Sequence, residues 1–289
     1  MFKIFTDTDT DITLEVAEKY GYHLISMPYV VNGELIHPYK DFKIFEPHKY
    51  YESLRKGVLP STCGLSPEEY IAYFEPVFKE GYDILYVHFS RAMTATFDYM
   101  DMALKQLKEK YPDRKFYEID TKGITIGSLN IVLEVGDMYL AKKSIEEIMA
   151  WAEKEVDKFA MYFYAEDLKF FARSGRVKGI KALMGNIFGI RPIITMGSDG
   201  VMTNVGTAHG HLKTIKTLLA KVEELGEDID KHRILIGHTD ALKSATELKD
   251  LLIKKYGDKL NIVFVDVNPT AGAHCGPDGV GISFHAIHR

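Results

Sequence analysis

Cysteine is scarce: the 289 residues include two, Cys63 and Cys275, far apart in the chain. That excludes a disulfide framework and offers no zinc-type spacing, so both thiols are expected to be reduced, as in a cytoplasm. A basic excess is also lacking, with 36 Lys and Arg against 41 Asp and Glu, a net charge of −5 and a pI near 6.1. A nucleic-acid backbone and an anionic membrane surface are disfavoured as partners on that ground. No apolar run approaches the ~18 residues of a spanning helix. The opening MFKIFTDTDTD turns acidic where a secretion signal would stay apolar. Internal repeats, low-complexity segments and a Pro/Gly/Ser-rich linker are missing as well.

What is present is an ordinary globular composition, 46% hydrophobic and 27% charged, at a length that implies two domains or one large α/β unit. Apolar runs that read as strands alternate with amphipathic helices: FKIFT then ITLEVAEKYG, YDILYVHF then TATFDYMDMALKQLKEKY, KFYEI then ITIGSLNIVLEVGDMYLA. This alternation predicts βαβ units on a largely parallel sheet. HLISMPYVVNGELI, with Asn32-Gly33 at its turn, reads as a hairpin insert. After KSIEEIMAWAEKEVD the pattern changes, and DKFAMYFYA, RPIITMGSDGVMTNVGTA, HRILIGHT, NIVFVDV and GVGISFHAI read as strands around three helices. The reading is therefore an α/β domain over 1–158 and an α+β domain over 159–289, tightly joined.

In open α/β sheets, ligands meet the loops at the carboxyl ends of strands, where helix N-termini offer free N–H groups. Three small, hydroxyl-rich stretches fall there: Asp7 to Thr10, Ser61 to Gly64, and Ser90 to Thr96. Neutral donors with few charges suit a carboxylate or a phosphate. Ser66, with Glu69 three residues on and Pro67 between, reads as a capping box that opens SPEEYIAYFEPVFKEG. Thr94 and Thr96 read equally well as caps.

Asp7 and Asp9, with Thr10 beside them, resemble the D-x-D-x-T run of haloacid-dehalogenase-type phosphatases. There the first Asp is the nucleophile, the second the acid/base, and Mg²⁺ bridges them. The alternative function is thus a Mg-dependent small-molecule phosphatase, although the lysine and acidic pair it needs are not legible. A calcium loop on Asp7, Asp9, Asp11 and Glu18 is rejected, because Ile12 stands where the sharp turn needs Gly. Cys63 could act as a nucleophile with His88 or His274 as base, but a lone thiol is more often inert. His209-x-His211 and His285-x-x-His288 have no obvious third ligand and read as surface histidines. In NPTAGAHCGPDGVGISF, His274 is set on a loop stiffened by Pro277, where an imidazole can handle a proton or phosphoryl group.

Taken in order, these segments resemble the DegV family of fatty-acid-binding proteins over nearly the whole chain. The family's T-D-S-x-x-D resembles Thr6 to Asp11, its T-S-Q-P-S-P-E-E-F resembles Thr62 to Tyr70, and its S-S-x-L-S-G-T-Y resembles Ser90 to Phe97. G-G-R-I and K-P-I resemble Ser174 to Val177 and Arg191 to Ile193, and H-x-G-P-G-x-x-G resembles His274 to Gly281. The resemblance implies one long-chain fatty acid held between the two domains, without catalysis or cofactor. It implies a carboxylate gripped by Thr62 and Thr94, with Cys63 and Ala95 alongside. Presentation to a fatty acid kinase is implied too, with His274 and Arg176 assisting at the head group. Gly206 stands where the family often carries Arg, which weakens the kinase expectation. About fourteen methylenes at ~0.8 kcal/mol each would supply on the order of 11 kcal/mol before binding costs, so the tail carries the affinity. An unpaired buried carboxylate would cost several kcal/mol, so donors must meet the head group. Leu183, Met184, Ile187 and Phe188 are the tail wall expected from IKALMGNIFGI.

Overall fold

The computed structural model describes residues 1–180 and 189–289. The expected tail wall of Leu183, Met184, Ile187 and Phe188 lies outside the described residues. The chain runs β1 (Phe2–Asp7), α1 (Leu14–Tyr20), β2 (Tyr22–Ile25), β3 (Tyr29–Val31), β4 (Glu34–Ile36), α2 (Pro47–Arg55), β5 (Ser61–Thr62) and α3 (Pro67–Lys79). It continues through β6 (Asp83–His88), α4 (Thr96–Lys110), β7 (Phe116–Asp120), α5 (Ile126–Leu140) and α6 (Ile145–Glu155). The second half carries β8 (Phe159–Tyr164), α7 (Leu168–Ser174), β9 (Val177–Lys178), β10 (Ile190–Met196), β11 (Met202–His209) and α8 (His211–Leu225). It closes with β12 (Ile234–His238), α9 (Leu242–Tyr256), β13 (Ile262–Asp266), α10 (Pro269–Cys275) and β14 (Val280–His285).

The α/β reading holds. The first half builds a parallel sheet in the order β2-β1-β6-β7, its crossovers made by helices as the alternation requires. The hairpin expectation holds in part. Tyr22–Ile25 joins the parallel sheet beside β1 rather than the insert, with Tyr22 and Ile25 both buried. The hairpin proper is β3 and β4, closed by Asn32 at φ 51° and Gly33 at φ 84°, the left-handed pair that a two-residue turn demands. Beside it β5 pairs antiparallel with β3, placing Thr62 opposite Tyr29.

The second half builds one mixed sheet in the order β13-β12-β14-β8-β10-β11-β9. The last strand lies inside it, antiparallel to both β12 and β8. Helix α5 explains how the halves meet. From Ile126 to Leu133 every residue is buried, so the helix has no wet face there, the pattern of a helix packed on all sides. It packs against α1 and β6 of the first sheet and against β8, β12 and β14 of the second. Close approach is bought with glycine: a Cβ on Gly237 would lie 2.8 Å from Ile126 Cγ2, and one on Gly127 3.0 Å from Met161 Sδ. A single hydrophobic core runs from Ile4 and Tyr86 through α5 to Met161, Phe171 and Leu235.

Candidate functional site

Between the two sheets lies a cavity of about 1050 Å³, mouth included. Its wall combines loops at the carboxyl ends of β1, β6 and β7 with residues of β8, β12, β14 and α10, where an open α/β sheet places its ligands. Much of the lining is apolar, with Met27, Met93, Met161 and Met202 beside Phe89, Phe163 and Phe171. Unbranched thioethers adapt to a flexible occupant. Polar groups gather where the 61–64 loop meets α10, and Thr62, Thr94, Arg176 and His274 all line the space.

Local structure fixes each of them. Thr62 is held by the β5 pairing, and its Oγ1 lies 3.0 Å from His274 Nε2. The capping box is present: Ser66 Oγ accepts from Glu69 N at 3.2 Å, and Glu69 Oε2 accepts from Ser66 N at 2.8 Å. Thr96 Oγ1 accepts from Leu65 N at 2.9 Å and meets Tyr70 Oη at 3.1 Å, tying the 62–65 loop to the start of α4. Gly64 permits that contact, since a Cβ there would lie 2.9 Å from Thr96 Cβ. Thr94 Oγ1 accepts from Thr96 N at 3.2 Å, which leaves its hydroxyl proton to donate. Ser90 Oγ donates to Gly200 O at 2.7 Å, joining the third loop to the second half.

Helix α10 carries His274 and is braced at both ends. Asn268 caps it, accepting from Ala271 N at 2.9 Å, and itself donates twice to Asp11 Oδ1, at 2.8 and 2.7 Å. Arg173 Nη2 donates to Pro60 O at 2.5 Å and to Ala273 O at 3.2 Å, clamping β5 onto α10. Burial, then the charges of Arg176 and Arg173, push His274 down to about 4. The imidazole is therefore neutral at neutral pH, and the positive charge at this end belongs to the arginines. From sequence His274 is expected on a loop, as a group able to handle a proton; the structure instead makes it a neutral group in the last turn of α10.

The carboxylates of the opening run behave differently from one another. Asp7 is fully buried, its Oδ2 accepting from Tyr86 Oη at 2.9 Å and Phe89 N at 3.4 Å while Oδ1 accepts from Asp9 N at 3.0 Å. Both oxygens are engaged inside the protein, and burial raises its pKa well above the usual range. A phosphoryl group has no route to such a nucleophile, and the fifth place of the phosphatase pattern holds Asp11, not Thr. The phosphatase alternative is not favoured. Asp9 does reach the cavity wall. Its burial pushes it up to about 7, and its Oδ1 has no hydrogen-bond partner among the described residues.

Cys63 is exposed at the mouth, and burial with Glu69 nearby raises its thiol, so the reactive thiolate is disfavoured. Cys275 lines the cavity, pushed up to about 12 by burial. His88 is buried with Nδ1 2.7 Å from Phe89 O and is not on the wall. Ala95 is exposed at the start of α4 and is not on the wall either. His209 and His211 are exposed, as read. His285 is not a surface residue: it is buried on β14, 2.9 Å from Glu227 O and 3.2 Å from Glu155 Oε2. Among the described residues the acid/histidine group spaced for a cation is His48, Glu52 and Asp240. The Arg55 guanidinium already occupies it, 2.8 Å from Glu52 and 2.6 Å from Asp240.

Sequence reasoning missed Thr125, Thr239 and Thr270, which follow β7, β12 and β13 and line the cavity. The signal was available, because the same strand-end rule extended to β7 would have found Thr125 and, applied to the second half, Thr239 and Thr270. It also missed Arg173, whose carbonyl partners nothing local reveals.

A family model described as "Uncharacterised protein, DegV family" matches residues 1–286. The chain belongs to the DegV family. A DegV domain-containing protein of Clostridium perfringens is 28% identical over 283 residues, covering 98% of this chain and 97% of the relative. Among solved structures, a DegV family protein from Thermus thermophilus, described by its fatty acid binding, superposes with a TM-score of 0.86 at 19% identity, covering 99% of each chain. A stearic acid-binding protein from Eubacterium ventriosum does so at 0.84 and 20% identity, covering 98% of this chain and 97% of that one. At these identities the superpositions establish the DegV fold for this chain.

Proposed function

We propose that this chain binds one long-chain fatty acid, its carboxylate met by Thr62, Thr94, His274 and Arg176 and its tail lying along the methionine and phenylalanine wall. The observation that carries this reading is the cavity itself, apolar over most of its wall and supplied at one end with hydroxyls, an imidazole and a guanidinium. The Thermus and Eubacterium proteins, described as binding fatty acids, support it. Cys63 and Cys275 stand on the same wall with raised thiol pKa values and Asp7 is engaged within the protein, which favours a carrier without turnover of its own. The domains of the proposal are 1–158 and 159–289, meeting where β8 begins, with the ligand along their seam.

Mass spectrometry of the purified protein after denaturing extraction tests the ligand, with a stoichiometric fatty acid expected and Mg²⁺-dependent phosphate release lost in Asp7→Asn as the contrary result. Calorimetry tests the grip. Replacing Thr62 or Thr94 by Val keeps the volume and removes a charge-assisted hydrogen bond worth about 1.5–3 kcal/mol, so affinity should fall roughly tenfold to a hundredfold. Unchanged affinity in the double variant would remove both hydroxyls from the site.

The finer part of the proposal is that the carboxylate is presented to a fatty acid kinase. Its support is the exposure of Cys63, Gly64 and Arg176 around the head-group end. Gly206 is exposed on β11 with nothing within 4 Å of an added Cβ, so Gly206→Arg can start a side chain there without a clash at its Cβ. Trapping acyl-phosphate with hydroxylamine should show a higher rate for Gly206→Arg and a rate about a hundredfold lower for His274→Ala. Equal rates in both variants and the wild type would overturn the kinase assignment.

A further inference from the structure

We propose that Asp9 makes this cavity selective for a fatty acid carrying a hydroxyl within the first few carbons of its carboxylate. The inference rests on the fatty-acid reading above and adds the substitution of the ligand.

Three aspartates stand at the end of β1 and just after it. The protein engages Asp7 through both oxygens and Asp11 through Oδ1, while Asp11 Oδ2, buried without a partner among the described residues, is not on the cavity wall. Asp7 accepts from Tyr86, Phe89 and Asp9, and Asp11 accepts twice from Asn268. Asp9 is 6% exposed, faces the cavity, and its Oδ1 is buried without a partner among the described residues. An unpartnered buried carboxyl is costly and asks for an explanation. Against a plain methylene chain it would stay unpartnered. Against an alcohol, the protonated acid both donates and accepts, and so does the hydroxyl. Burial favours that protonated form, holding the group near neutrality at about 7.

The geometry also says where the hydroxyl sits. The neighbouring group that offsets part of the Asp9 shift is the Thr270 hydroxyl, itself 3.3 Å from Met27 O. Thr270 and His274 are four residues apart on α10, which is about one helical turn, or ~6 Å. With the carboxylate at His274, Asp9 faces the proximal carbons and not the distal tail.

Calorimetry with octadecanoic acid and its β-, δ- and ω-hydroxy derivatives tests this, on the wild type, Asp9→Leu and Asp9→Asn. The wild type should bind the β- or δ-hydroxy acid about tenfold more tightly than the plain acid and show no gain for the ω-hydroxy acid. Asp9→Leu should reverse that order, and Asp9→Asn, whose amide also donates and accepts, should keep it. The same ratios in wild type and Asp9→Leu, or a wild type that prefers the plain acid, would overturn the inference while leaving the fatty-acid reading standing. If Asp9→Leu does not fold, the wild-type contrast between proximal and ω-hydroxy acids decides. Failure of the wild type to bind any of the acids would overturn the fatty-acid reading and this inference together.

Discussion

At the residue scale the head-group end works with a neutral imidazole between two guanidinium groups. The free protein holds His274 at about 4 because burial and then Arg176 and Arg173 disfavour its cation. A carboxylate bound beside Thr62 supplies the opposite charge and raises that value. Binding at pH values between about 4 and the raised bound value therefore takes up a proton, and affinity gains as pH falls through that window. Calorimetry at pH 5 in buffers of different ionisation enthalpy should show the wild type taking up more protons than His274→Ala, by up to one, since the ligand's own ionisation is common to both; equal proton exchange in both would place the proton elsewhere. Thr62 and Thr94 were picked out by hydroxyl-rich loops and His274 by its neighbouring glycine and proline, whereas Arg176 came from the family motif alone. The state of Asp7 and Asp9 was not. Their difference is set by Tyr86, Phe89 and the cavity, and a run of alternating acids and threonines says nothing about which carboxyl finds a donor.

At the scale of elements, α2 acts as a clamp on the helix that carries His274. Tyr50 Oη donates to Pro269 O at 2.6 Å, and Tyr51 Oη donates to Val267 O at 2.8 Å. Arg55 then pairs with Asp278, in the loop after α10, and with Asp240, in the loop between β12 and α9, at 2.6 Å each. Its guanidinium is only partly exposed, so the forked pairing is stronger than an ordinary surface bridge. Arg55→Ala should leave the fold intact and loosen α10, raising the fatty-acid dissociation rate severalfold in stopped-flow measurements with little change in association. An unchanged dissociation rate would mean that the tyrosines alone hold the clamp. The helix itself was not resolved from the sequence, where PHKYYESLR follows the hairpin without a capping residue. The strand of two residues that aligns Thr62 was equally hidden, since its pairing with β3 crosses about thirty positions. By contrast the Ser66–Glu69 box and the Asn32-Gly33 turn depend on neighbours in sequence, and both were read correctly.

At the scale of the whole molecule, the alternation of strands and helices predicted a largely parallel first half and its change after α6 an α+β second half; the first sheet is parallel and the second is a mixed sheet. What it left out is that α5, read as one more crossover helix, fills the seam between the sheets. Its departure from a single apolar stripe was the available sign. A second consequence follows from the place of β14 between β12 and β8. Until residues 280–285 insert, the β13-β12 pair and the β8-β10-β11-β9 group share no strand pairing among the described residues, and one side of α5 stays wet. Folding of the second half is therefore completed by β14, whose partner β8 lies more than a hundred positions earlier in the chain, a slow kind of pairing. A chain ended after Pro277 should keep helix by circular dichroism yet bind a dye for exposed apolar surface and lose its cooperative thermal transition; a sharp transition in that fragment would show the sheet closing without β14. The cavity is in that sense a late product of folding: it has no closed wall until β14 docks, because Gly279, Val280 and Gly281 form part of it.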